Sequence, residues 1–309
     1  MAVARERRGS GFAGAGLGLA VLSAVFLTVP ALISLRGRWA LLRRDAPKVA
    51  LYGLLAVAGC QLFYFNALER IPVGVALLLE YLGSVLVVGW VWLRHGERPS
   101  RLTVAGAVAA IAGLVMVLNL TGSVHVDPIG LMWGLLAACG LAAYFVISAS
   151  ASTSAGGAPE EPLPPIAMAW GAMCVGAVAL AVLGFTGALP LHATNADVHF
   201  LRLHVSWIVP VLGLSLIAAV IAYVAGIGAA RRLGAKLASF IGMTEVLFAI
   251  LFAWLALGQL PTPIQFLGGA FILAGIALVR AGENAPVPVT ADEAEVDVEA
   301  GQPREPDRV

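Results

Sequence analysis

The chain has 309 residues, 60% of them hydrophobic and 12% charged, with a mean hydropathy of +0.91. Soluble domains carry about 25% charged residues, so these values exclude an ordinary globular protein and place the chain in the membrane class. The net charge of +1 is unevenly split: residues 1–281 hold 17 basic and 10 acidic side chains, residues 282–309 hold 2 and 8.

A helix needs about 20 mostly apolar residues to cross a bilayer. Nine stretches qualify, at 11–35, 49–68, 72–93, 102–120, 129–149, 166–187, 206–229, 237–257 and 264–280. The first is too long for the apolar region of a cleavable signal peptide, and a basic cluster follows it. Its "GAGLG" (Gly14 to Gly18) has the GxxxG spacing of close helix packing. It is not a phosphate loop, because no strand precedes it and no Lys-Ser/Thr follows. The second span carries Gln61, Tyr64 and Asn66, the third Glu80, the fifth Tyr144, the seventh Tyr223 and the eighth Glu245. The closing segment, 282–309, is acidic and Pro-rich with no aromatic residue. Such a composition buries too little apolar surface to fold, so a disordered tail is expected.

Loop charge sets an orientation. "RGRWALLRRDAPK", "RHGERPSR" and "RRLGAK" are rich in Arg and Lys, whereas "LTGSVHVDP" and "GQLPTP" have none. Alternating passage through nine spans puts the three basic loops and the tail on the cytoplasmic side. It also puts the N-terminus outside, although "ARERRGS" holds Arg5, Arg7 and Arg8. Five basic residues at the far end of that span outvote these three.

Sliding the sequence by 162 residues exposes an internal repeat. Residues 70–117 fall on 232–279 with ten of 48 positions identical and no gap. The identities include Trp92/Trp254, Gly96/Gly258, Pro99/Pro261, Gly106/Gly268 and Gly113/Gly275. The shift spans five membrane segments, an odd number, so the second copy is inverted. Inverted repeats with a site at their interface near the midplane are a secondary-transporter architecture.

Three stretches carry a resemblance to a known family: "YFNALERIPVGVALLLEYLGSVL", "MTEVLFAILFAWLALGQ" and "LGGAFILAGIALV". They resemble the EamA branch of the drug/metabolite transporter superfamily. The resemblance covers residues 10–280 and implies two five-helix repeats, ten spans in all. One span stands before Lys48 where two are expected, so either a mis-chosen start, with a further apolar segment encoded upstream of Met1, or a true truncation is expected. Glu245-Val246 also stands where many members have Glu-Pro. The fold class expected is therefore an all-α polytopic bundle with inverted repeats at 11–120 and 129–281, followed by the tail.

Only Glu80 and Glu245, of 18 acidic residues, lie deep inside a span. A charge at the bilayer centre costs about 2.5–3.5 kcal/mol on insertion scales, so such residues face the protein interior or pair up. In the repeat, Glu80 falls on Gly242 and Glu245 on Gly83, an offset of three residues or about one helical turn. Both can then face one central cavity from opposite halves. Each Glu has two readings, a substrate or proton group and a hydrogen-bonded packing residue. Gln61 and Tyr64 share a helix face. Tyr223 matches Gln61 in the second copy, and Tyr144 joins them as a further candidate. Their polar groups suit either substrate binding or interhelical hydrogen bonding.

No Walker A, HExxH, or Ser/His/Asp pattern is present, and the three cysteines are far apart. His192, Asp197, His199 and His204 share one external loop, whose default reading is solvation. No cofactor, no metal and no nucleic-acid partner is expected. The expected partners are a small-molecule substrate, the bilayer, and protons or a counter-substrate. The function read from the sequence is secondary active transport of a small polar metabolite, an amino acid or related compound, by efflux across the inner membrane. The alternative is a membrane-embedded enzyme or accessory protein acting on lipid-linked substrates. Catalytic polar groups at the membrane–water interface would favour it, but the polar residues here sit mid-span.

Overall fold

A computed structural model describes residues 2–96, 98–118, 127–150, 161–185, 198–200, 203–205, 212–257 and 260–283. The tail beyond residue 283, with its expected disorder, lies outside them.

The first crossing is α1 (Ala2–Ser34). The basic loop holds α2 (Trp39–Arg44). The second crossing is built from α3 (Ala46–Tyr52), a π-helix π1 (Gly53–Gly59) and α4 (Cys60–Leu68). The third is broken in two, α5 (Val73–Tyr81) and α6 (Gly83–His95). Then come α7 (Arg101–Leu118), α8 (Pro128–Ser150) and α9 (Pro165–Phe185). The second half continues with π2 (Leu214–Ile221), α10 (Ala222–Gly242), α11 (Thr244–Leu257) and α12 (Pro263–Glu283).

The loop that carries His199 and His204 contains a small hairpin. Val198–Phe200 pairs antiparallel with Leu203–Val205. Val198, Phe200, Leu203 and Val205 alternate about a two-residue connection, the pattern of a tight hairpin. His199 stands opposite His204 in the register, while His192 and Asp197 lie outside the described residues.

Among the described residues, eight helical stretches are long and apolar enough to cross a membrane. The longest, Ser215–Gly242, is interrupted at Gly234, whose φ of 79° and ψ of 160° suit glycine and few other residues. The part before Gly234 completes one crossing. The part after it runs into α11, whose 14 residues span only about 21 Å on their own. Residues 235–257 together make the ninth crossing.

The 162-residue repeat is visible in the element boundaries. It places π1 on residues 215–221 of π2, Cys60 at the start of α4 on Ala222 at the start of α10, and Arg101 at the start of α7 on Pro263 at the start of α12. Val73, which opens α5, falls on Ala235 just after the Gly234 break. The break at Leu82 between α5 and α6 recurs at Met243 between α10 and α11, one residue off the exact shift.

The two closest helix pairings join each helix to its own image. α7 packs on α12 and α1 packs on α9. The repeated glycines form the first contact. A Cβ at Gly106 would sit 2.6 Å from the Gly275 carbonyl oxygen, and one at Gly113 would sit 2.5 Å from that of Gly268. The reverse contacts are equally short, 2.6 Å from Gly268 to the Gly113 oxygen and from Gly275 to the Gly106 oxygen. Small residues let membrane helices approach this closely without a gap.

Two apolar clusters flank the centre. One gathers Leu27, Tyr52, Met168, Met173 and Ile227 from α1, α3, α9 and α10. The other gathers Leu114, Phe240, Met243 and Ile272 around α7 and α12. Between them α8 packs on π1, α4, α5, α6 and α10, which makes it the central column of the site.

The loops sort into two ends. At one end Arg38 pairs with Glu161, Arg44 donates to the Glu161 carbonyl oxygen at 3.2 Å, Arg231 donates to the Leu163 carbonyl oxygen at 2.5 Å, and Lys236 meets Glu283 at 3.8 Å. At the other end Arg70 meets Asp127 at 3.4 Å. The basic loops after α1 and within α10 thus converge on the same connection, residues 161–163. Asp127 also accepts the Ile129 backbone N–H at 2.9 Å and caps α8. That amide, with Arg70 beside it, holds the Asp127 carboxyl below the usual carboxylate range.

Candidate functional site

Glu80 sits one residue from the end of α5, partly buried against α4. The Cys60 thiol donates to Glu80 Oε1 at 3.3 Å and lies 3.9 Å from the Ala137 carbonyl oxygen of α8. A thiol is a weak donor, so this contact orients the carboxyl more than it neutralises it. Cys60 opens α4 directly after π1, and that placement aims its side chain at α5.

Glu245 is the second residue of α11 and is exposed. Its Oε2 accepts the Tyr81 hydroxyl at 3.2 Å. Tyr81 itself is only 7% exposed, so the hydrogen bond runs from the packed interior of the first half to the second.

Three tyrosines, Tyr52, Tyr144 and Tyr223, pack on one another. The Tyr144 and Tyr223 rings meet edge to face, 5.4 Å apart at 88°. Tyr52 lies 5.7 Å from Tyr144 and 6.4 Å from Tyr223. Edge-to-face aromatic pairs are favourable because the positive ring edge meets the negative face. The Tyr223 hydroxyl donates across the halves to the Ala56 carbonyl oxygen of π1 at 3.2 Å. A π-helix shifts the normal hydrogen-bond ladder, and Ala56 here accepts a bond from another element. Ser148 on α8 donates to the Tyr52 hydroxyl at 3.3 Å. The Tyr144 hydroxyl reaches Gly226 on α10, where any side chain would collide with it.

Of the six candidates named from sequence, Tyr144 and Tyr223 meet directly, Glu80 is held by Cys60, Glu245 by Tyr81, and Tyr64 stands one helical turn beyond Cys60. Gln61 makes no described contact with them. Its Oε1 is buried without a hydrogen-bond partner, one residue beyond Cys60. Asn66 donates to its own helix at the Leu62 carbonyl oxygen, 2.7 Å away. Sequence reasoning missed Cys60, Tyr81, Tyr52 and Ser148. The available signal was spacing: Cys60 is four residues before Tyr64, on the same helix face.

Apart from Cys60 and Tyr81, neither carboxylate has a described hydrogen-bond or ion-pair partner. Among the described residues, no group of three or more His, Cys, Asp or Glu side chains is placed to hold a metal.

Comparison with known proteins gives the architecture a family. A curated relative, the "Probable terminal-alkyne amino-acid exporter" of Streptantibioticus cattleyicolor, is 26% identical over 249 residues, 77% of this chain and 74% of the relative. A solved crystal structure, whose description names no activity, is similar in fold with a TM-score of 0.69. It is 22% identical and covers 89% of this chain and 90% of that one. The model of the EamA-like transporter family matches residues 8–119 and 128–281, and the chain belongs to that family.

Proposed function

We propose that this multi-pass membrane protein is a secondary active transporter that exports a small polar metabolite, an amino acid or a related compound. In this reading the halves 11–120 and 129–281 rock against each other and expose a central site alternately. Protons or a counter-substrate supply the driving force. The basic loops favour an inner-membrane protein with a cytoplasmic C-terminus. The exporter description of the curated relative supports the class of substrate.

The observation that carries the reading is the hydrogen bond from Tyr81, the neighbour of Glu80 in the first half, to Glu245 in the second, together with the Tyr223 hydroxyl reaching Ala56 across the halves. Titratable groups at this depth are expensive unless they serve a pathway. Several cross-half contacts here are single hydrogen bonds: Tyr81 to Glu245, Tyr223 to Ala56 and Ser84 to the Ser239 carbonyl oxygen at 3.1 Å. Contacts of this size can exchange without unfolding either half.

The test is flux in proteoliposomes across a range of pH, with thermal stability measured in parallel. Glu80→Gln keeps the shape and removes the titratable proton. It is expected to fold normally, and to slow transport or flatten its pH dependence. Wild-type flux at every pH would remove Glu80 from the mechanism.

A further inference from the structure

The end of α12 lies among basic side chains. Gly282 packs against the start of α7, where an added Cβ would sit 2.6 Å from Thr103 Oγ1. Glu283, which closes α12, meets Lys236 of α10 at 3.8 Å. Five arginines stand on the segments that meet there. Arg98 and Arg101 flank Ser100, against which Gly282 also packs, and Arg94 lies in the last turn of α6 just before that loop. Arg232 precedes Lys236 by four residues, and Arg280 precedes Gly282 by two. All five are exposed, and among the described residues none has a hydrogen-bond or ion-pair partner.

The acidic tail leaves from this point. Residues 284–309 carry seven acidic and two basic side chains, and five of the acids fall within 292–299, "DEAEVDVE". Glu293, Glu295, Asp297 and Glu299 alternate with Ala294, Val296 and Val298, so an extended backbone would set four carboxylates along one edge. Nine residues lead from Glu283 to Asp292, a reach of at most about 30 Å.

From this charge complementarity we infer that the acidic run 292–299 seats on Arg94, Arg98, Arg101, Arg232 and Arg280 of its own chain. The surface is separate from the mid-span residues above, and the inference does not depend on the transporter reading. Carboxylates suit arginine because the guanidinium offers a planar fork of donors to both oxygens. Each exposed ion pair is weak, so several must form together. The tether favours this, since a short linker holds the run at a local concentration on the order of millimolar. Anionic lipid headgroups compete for the same arginines but have no tether. Arg94, Arg98 and Arg101 belong to the first half and Arg232 and Arg280 to the second, so the seated tail bridges the halves.

The experiment uses the full chain, one molecule per nanodisc, with Val296→p-benzoylphenylalanine as a photo-cross-linker. Mass spectrometry locates the product after illumination. Cross-links are expected within the chain to residues 93–103 and 230–236, in phosphatidylcholine and equally when anionic phosphatidylglycerol is included. Their yield is expected to fall about threefold or more from about 0.1 M to about 1 M salt, as the screening length shrinks from about 10 Å to about 3 Å. Combining Asp292→Asn, Glu293→Gln, Glu295→Gln, Asp297→Asn and Glu299→Gln is expected to lower it about tenfold, the joint loss of several weak pairs. These five changes lie outside the helices, so the fold is not at stake. Arg98→Glu with Arg101→Glu should lower the yield as well, and adding Glu295→Lys and Asp297→Lys should restore it. Size exclusion and thermal unfolding confirm that the arginine variants are folded.

Cross-links confined to α12, or scattered over the chain, overturn the inference. So does a yield that the neutralised tail leaves unchanged. Loss of the cross-link when phosphatidylglycerol is included gives the arginines to lipid headgroups and overturns it too.

Discussion

Tyr81 and Glu80 are sequence neighbours with opposite allegiances: Glu80 is held by Cys60 of its own half, whereas Tyr81 reaches Glu245 of the other. Tyr81→Phe removes only the hydroxyl and leaves the packed ring in place. A fall in flux of roughly fivefold is expected, about 1 kcal/mol, below the usual range for a hydrogen bond to a charged group because Glu245 is exposed. An unchanged thermal midpoint with reduced flux would tie Tyr81 to transport; lost stability with full flux would make it packing. At the surface, Asp127→Ala removes the cap of α8 and the Arg70 contact, while Asp127→Asn keeps a capping oxygen. The Ala variant is expected to melt slightly lower than the Asn variant. The Asp127 carboxyl titrates below its unfolded value, so its contribution is present above about pH 3.9 and disappears as pH falls through the folded value. The melting gap between wild type and Asp127→Ala should therefore narrow in acid. Glu80 and Glu245 were legible in sequence because a carboxylate in an apolar run is costly enough to demand a reason. Cys60 and Tyr81 were not, because a thiol or a phenol is at home in such a run, and only the fold shows what each one touches.

The elements repeat more faithfully than the residues do. Ten identities in 48 positions revealed the shift of 162, yet the starts of π1, α4, α5 and α7 recur within one residue across the second half. The repeated glycines stood out as identities; their mutual contact followed only from the inverted packing of α7 on α12. The broken third and eighth spans read as continuous in sequence, since Leu82 and Met243 are ordinary helix residues and neither position carries a proline. The break at Gly234 was equally silent, because a glycine in an apolar run equally signals close packing. Gly113→Leu tests the quartet. Its Cβ alone would fall 2.5 Å from a backbone oxygen, so α7 and α12 must separate, at a cost of about 1–3 kcal/mol or more. Gly89→Ala on α6 is the matched control, with nothing within 4 Å of the new Cβ, and it is expected to be neutral or mildly stabilising. Thermal unfolding in detergent distinguishes the two; equal midpoints would mean that the glycine seam contributes nothing.

For the whole molecule, orientation and inversion are one claim. Contacts between loops fall into two groups: residues 38, 44, 161, 163 and 231 meet in one, residues 70 and 127 in the other. The end that gathers Arg36, Arg38, Arg43, Arg44, Arg231 and Arg232 is the one that charge assigns to the cytoplasm. The loop charges yield a single testable topology. Single cysteines at Arg43, Arg98 and Thr262 are placed in a background with Cys60, Cys139 and Cys174 changed to Ser. A membrane-impermeant maleimide added to intact cells is expected to label position 262 only; all three should react after the membrane is opened. The comparison of 98 with 262 matters most. Pro99 and Pro261 are images under the repeat, so these two loops are equivalent in fold and opposite in side only if the second copy is inverted. Labelling of both from outside would leave the helices in place but turn the repeat parallel. The paired carboxylates would then no longer approach one site from opposite directions, and alternating exposure by rocking would lose its structural basis.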